Sequence, residues 1–136
     1  MNEPETIRRI LKESKTIAVV GLSDKPDRES YLVAKYLKEN GYRIIPINPN
    51  ISKWMGEKVY ASLKEVPAKE KIDVVDIFRR SEFVHEIVDE AIRIKAKAVW
   101  MQLGVVDENA AQKAEAAGLL VVMDKCMRIE HRKMKI

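Results

Sequence analysis

Three groups of side chains in this sequence could bind or transform a ligand: Ser23, Lys25, Arg28 and Ser30 after the run "TIAVVG", the adjacent Arg79 and Arg80 in "DIFRRSEF", and Cys126 in "VVMDKCMR". The first group opens as a nucleotide loop does, with an apolar strand running into Gly21. A dinucleotide fold would then add two more glycines at close spacing, so that backbone amides crowd around a pyrophosphate. Here the next glycine is Gly41. The loop offers hydroxyls and cations instead, which suits an anion held by side chains. Arg79 and Arg80 stand just before a predicted helix whose first amides already favour an anion, and they read as a phosphate site. The competing reading is that both are solvated or paired with Glu82 and Glu86 in weak surface ion pairs. Lys25 and Arg28 carry the same alternative, with Asp24 and Asp27 beside them.

No catalytic set assembles around these groups. Ser23 and Ser30 lack an identifiable base, His85 falls at a helical position beside an apolar face, and His131 lies in a basic tail. No catalytic residue is assigned, and a binding protein rather than an enzyme is expected. Cys126 follows the last predicted strand, and Lys125, Arg128 and a helix start would favour its thiolate. Against that, a lone cysteine most often serves as a small buried hydrophobe, and that reading is preferred. One cysteine excludes an internal disulfide, and with only His85 and His131 beside it no metal-ligand spacing exists.

The elements that must position these groups alternate regularly. "TIAVVG" reads as a buried strand, residues 30–40 as a helix with Val33, Ala34 and Leu37 inward and Gly41 as its stop, and "YRIIPIN" as a second strand. "EKVYAS" is expected as a short edge strand and "IDVVDIF" as a further buried one. Ser81 is the expected N-cap of a helix whose Val84, Ile87, Val88, Ala91 and Ile92 share one face. "AVWMQ" is a strand, Asp107 caps a helix through Ala117, Gly118 ends it, and "LLVVMD" is the last strand. A helix over 1–14 and a basic helix or tail over 125–136 flank these elements. Strands apolar on both faces, separated by amphipathic helices, imply an α/β, doubly wound parallel sheet of five to six strands with helices on both faces. Such sheets bind ligands beyond the carboxyl ends of their strands.

A chain of 136 residues, 46% of them hydrophobic, is expected to form a single domain. Its longest apolar runs are strand-sized, well short of the roughly 20 residues that span a bilayer, and residues 1–15 lack the apolar core of a secretory signal. A cytoplasmic protein without membrane contact is expected. The net charge of +4 suits a small polyanion. Nucleic acid would ask for a basic stripe interleaved with aromatics, whereas both charge signs are mixed here and only two Trp and six Tyr or Phe are present. In "ISKWMGEK", Trp54 and Met55 are expected to anchor their loop on the sheet, with a lid over the ligand as the alternative.

The end of the second strand weakens the case for NAD. A dinucleotide domain places an acidic residue there for the ribose 2′-hydroxyl, and this chain has Asn48, Pro49 and Asn50. A nucleotide with extra phosphate suits Lys25, Arg28, Arg79 and Arg80 better.

The combination "VVGLSDKPDRESYLVAKYLKENGYRIIPINP", "VDIFRRSEFV", "AVWMQLGV" and "VVMDKCMRIEH" resembles the small stand-alone CoA-binding proteins, whose domain is similar to the N-terminal domain of the succinyl-CoA synthetase alpha subunit. The resemblance covers Thr16 to His131. It implies a Rossmann-like domain that holds the ADP end of CoA, or of an acyl-CoA, across the strand ends. Phosphate and ribose contacts are implied for Gly21, Leu22, Ser23, Lys25, Arg28 and Ser30, and adenine-side contacts for Asn48, Pro49, Ile77 and Phe78. Arg79 and Arg80 are implied nearby, with Gln102, Leu103, Gly104 and Cys126 along the rest of the ligand. The synthetase loop is richer in glycine than "GLSDKPDRES", so side chains are expected to replace backbone amides here. Two other readings stay open: a small NADP-dependent oxidoreductase, and a regulatory or scaffold protein presenting its CoA-loaded domain to a protein partner.

Overall fold

The computed structural model of the chain describes residues 1–134. Helix α1 (Pro4–Glu13) leads into strand β1 (Thr16–Val20), followed by α2 (Glu29–Glu39), β2 (Arg43–Ile47) and the short strands β3 (Lys53–Trp54) and β4 (Glu57–Lys58). Then come β5 (Val74–Ile77), α3 (Val84–Arg93), β6 (Ala98–Met101), α4 (Glu108–Ala116), β7 (Leu120–Val122) and α5 (Met127–Met134). Five of the strands form one parallel sheet in the order β2-β1-β5-β6-β7. The chain winds outward from β1 to β2, then crosses back to β5 and winds the other way. The reversal falls between β1 and β5, and the crevice above their carboxyl ends is where such a sheet binds ligands.

Alternation along the strands divides the core in two. Ala18, Val20, Val75, Ile77, Val99 and Met101 face α3 and α4, whose Val84, Val88, Ala91, Ala110 and Ala114 are fully buried. Ile17, Val19, Val74 and Trp100 face α1, α2 and α5 and meet Leu11, Val33, Leu37 and Met127. Both faces are covered, as strands apolar on both sides require.

Local signals account for most boundaries. Asp107 accepts a hydrogen bond from the Ala110 amide at 3.0 Å and caps α4. The start of α3 differs from expectation. Ser81 to Phe83 form a single 3₁₀ turn, the α-helix begins at Val84, and the Ser81 hydroxyl accepts the Val106 amide at 2.9 Å instead of capping its own helix.

The segment "EKVYAS" also differs: it adds no full edge strand. Glu57 and Lys58 pair antiparallel with Lys53 and Trp54, and only Tyr60 touches the main sheet, through one parallel bridge to Ile47. Met55 and Gly56, at φ 49° and 78°, supply the two positive-φ residues of a tight hairpin turn. Of the two residues expected to anchor this loop, only Trp54 does so. Trp54 is buried and meets Tyr31 edge to face, with ring centroids 5.8 Å apart, while Met55 remains exposed.

The basic C-terminal segment begins its helix at Met127, and residues 135–136 lie outside the described residues. His131 docks this helix: its Nδ1 lies 2.8 Å from the Tyr36 hydroxyl, and its ring meets that of Tyr42 edge to face. Among the described residues no helix is long and apolar enough to cross a membrane.

Candidate ligand site at the strand ends

Three adjoining clefts open above the carboxyl ends of the strands, and Arg79 lines all of them. The first, of about 450 Å³, is bounded by Gly21, Asn48, Pro49, Asn50, Arg79, Arg80 and Phe83. The second runs from Gly21 and Pro49 under Leu63 toward the first turns of α3. The third, of about 330 Å³, lies beyond Arg79 between Phe78, Gln102, Leu103, Val105 and Cys126, with Glu29 at its edge.

Arg79 and Arg80, equivalent by sequence, separate in the structure. Arg80 is 84% exposed at its side chain and sits 3.8 Å from Glu82, the surface pairing anticipated for both. Arg79 is half-buried, forms no ion pair among the described residues, and stacks its guanidinium 4.4 Å from the centre of the Phe83 ring. An aromatic face orients a guanidinium without neutralising it, so Arg79 presents a fixed positive charge at the topological switch point.

The loop after β1 is tied by its own hydroxyls. Ser30 Oγ accepts the Ser23 amide at 3.0 Å and Ser23 Oγ accepts the Lys25 amide at 3.1 Å. Two amides that a glycine-rich loop would turn toward a pyrophosphate are therefore engaged within the loop. Lys25 and Arg28 project from it into solvent, without ion pairs among the described residues. Gly21 borders two of the clefts, whereas Ser23, Lys25, Arg28 and Ser30, expected as ligand contacts, line none of the three.

Asn48 and Gln102 hold the walls. Asn48 donates to the Leu22 carbonyl at 3.0 Å and accepts from the Asn50 amide at 2.8 Å, joining the loops after β1 and β2. Gln102, buried, accepts the Met127 amide at 3.1 Å and joins β6 to α5. Gly104 donates to Asp124 Oδ1 at 2.7 Å and fixes the loop that carries Leu103. Leu22 and Ile77, expected as ligand contacts, are wholly buried, backbone included, because both strand ends are packed in the core, whereas Pro49 is exposed at the rim. Cys126 is only 3% exposed and packs in the core while lining the third cleft, in keeping with the small-hydrophobe reading.

Sequence reasoning overlooked Asp76. It lies in β5 between Val19 and Trp100, two residues before Phe78, fully buried with neither carboxylate oxygen hydrogen-bonded among the described residues. Burial pushes its pKa well above the ordinary carboxylate range. The available signal was an acidic residue inside the apolar run "IDVVDIF".

Comparison with known proteins shows the family of the chain. The chain is 45% identical over 125 residues to the uncharacterised protein YneT of Bacillus subtilis, covering 92% of this chain and 91% of that one. It is 36% identical over 75 residues to the alpha subunit of the ADP-forming acetate–CoA ligase II of Pyrococcus furiosus, over 54% of this chain but only 16% of that protein. A solved structure of a hypothetical protein from Pyrococcus horikoshii superposes with a TM-score of 0.93 at 41% identity, covering 98% of this chain and 93% of that one. Residues 15–132, from the lysine before β1 into α5, match the family described as the CoA binding domain, and the chain belongs to that family.

Proposed function

We propose that the protein binds CoA by its ADP portion across the carboxyl ends of β2, β1 and β5, and that it performs no catalytic step of its own. The observation that carries this reading is Arg79, an unpaired, aromatic-stacked guanidinium lining all three clefts at the switch point. Lys25 and Arg28 on the loop after β1, with Arg80 at the rim, complete a set of cations matched to a ligand with several phosphates. Family membership supports CoA as that ligand.

Against NAD, the end of β2 provides no carboxylate for a ribose 2′-hydroxyl, and the amide group of Asn48 is engaged in joining two loops. The hydroxyls of Ser23 and Ser30 accept backbone amides and have no hydrogen-bonded base, which supports binding over nucleophilic chemistry.

Mass spectrometry of small molecules released on denaturing the purified protein tests the reading. Recovery of CoA or an acyl-CoA is expected, and stoichiometric recovery of a nicotinamide dinucleotide contradicts it.

A further inference from the structure

We infer that the cleft beyond Arg79 receives the hydrocarbon of an acyl thioester, so that the ligand of this site is an acyl-CoA with a short to medium apolar chain rather than CoA itself. The inference rests on the CoA reading above and specifies which form of the ligand is bound. Because Arg79 lines both the polar cleft and this one, a molecule held there by its phosphates can reach both.

The walls of the far cleft are Phe78, Leu103, Val105 and the thiol of Cys126. Besides Arg79 its polar residues are two, Gln102, whose Oε1 accepts the Met127 amide, and Glu29 at the edge, which pairs with Arg128 at 3.2 Å. Such a cleft favours hydrocarbon, which needs no hydrogen-bond partners, over a chain ending in polar groups that would be left unsatisfied. Leu103 is 59% exposed at the lip, on a loop that the Gly104–Asp124 and Val106–Ser81 hydrogen bonds hold in place. A hydrocarbon entering the cleft would cover apolar surface that water now meets. The volume of about 330 Å³ holds roughly ten groups the size of a water molecule, enough for the end of the CoA arm and a chain of several carbons.

Titration calorimetry of the full chain with CoA and with acetyl-, butyryl-, hexanoyl- and dodecanoyl-CoA tests this. Hexanoyl-CoA is expected to bind at least about tenfold more tightly than acetyl-CoA, out of the roughly 200-fold that four fully buried methylenes would give, with no further gain at twelve carbons. In Leu103→Asn the ratio of hexanoyl-CoA to acetyl-CoA affinity is expected to fall toward one. Equal affinities for CoA and all thioesters in the wild type overturn the inference while leaving the CoA reading intact. A chain-length gain that survives unchanged in Leu103→Asn overturns the assignment to this cleft. Failure to bind CoA and every thioester alike overturns the parent reading and this inference with it.

Discussion

Gly21 and the carbonyl oxygen of Phe78 approach so closely that a side chain cannot stand between them. A Cβ on Gly21 would collide with that oxygen and come within 3.0 Å of Arg79 Cδ, and the backbone of Gly21 is left-handed at φ +88°. The single glycine of the β1 loop thus serves the contact between two loops at the switch point, and sets where Arg79 stands.

Gly21→Ala is therefore expected to destabilise the fold by about 2–5 kcal/mol, the sum of a left-handed backbone penalty of roughly 1–2 kcal/mol and an overpacking cost of 1–3 kcal/mol. Gly41→Ala provides the comparison, since Gly41 is equally left-handed at φ +95° but a Cβ there meets nothing within 4 Å. Urea unfolding of both variants checks this. Equal losses would mean that the approach to Phe78 costs nothing to disturb.

Arg79→Ala is expected to weaken CoA binding by about 1.5–3 kcal/mol, the value of a hydrogen bond to a charged group, with the unfolding midpoint little changed. Arg80→Ala, at an exposed position already paired with Glu82, is expected to lose less than about 1 kcal/mol. Calorimetry on the two variants separates them. Indistinguishable losses would contradict the central place given to Arg79.

Much of the fold was legible in the sequence because its signals are local. A glycine at a strand end, an Asp107 cap and the helical spacing of Val84, Ile87, Val88 and Ala91 each report on a few neighbouring residues. The rest depends on residues distant in sequence. Nothing near Ser81 announces that its hydroxyl will serve Val106, and nothing near Arg79 and Arg80 says that one will stack on Phe83 while the other meets Glu82. The hairpin at Lys53–Lys58 escaped notice because it needs Met55 at positive φ, a conformation that sequence patterns reserve for Gly, Asn and Asp. Asn48 and Gln102 read as ligand contacts by position, yet their side-chain hydrogen bonds hold loops and a helix in place.

Asp76 makes the fold sensitive to pH in a defined direction. Burial raises its folded-state pKa well above the unfolded value of about 3.9. At pH values between the two, the unfolded chain is ionised while the folded one keeps its proton, so stability falls as pH rises through that window, by up to about 1.4 kcal/mol per pH unit. Asp76→Asn removes this penalty. The variant is expected to match the wild type near pH 4 and to exceed it as pH rises above that, which denaturant unfolding at a series of pH values would measure. A stability difference that does not vary with pH would show that Asp76 is charged and partnered in the folded protein.

In the proposed reading Arg79, at the β1–β5 switch point, holds CoA with help from the exposed Lys25 and Arg28 of the loop after β1. Calorimetric titration of the wild-type protein with CoA, NAD and NADP under the same conditions tests it most directly. Saturable one-to-one binding of CoA is expected, at least about tenfold tighter than that of either dinucleotide, a margin of about 1.4 kcal/mol; NAD or NADP binding as tightly as CoA, or no binding of CoA at all, overturns it.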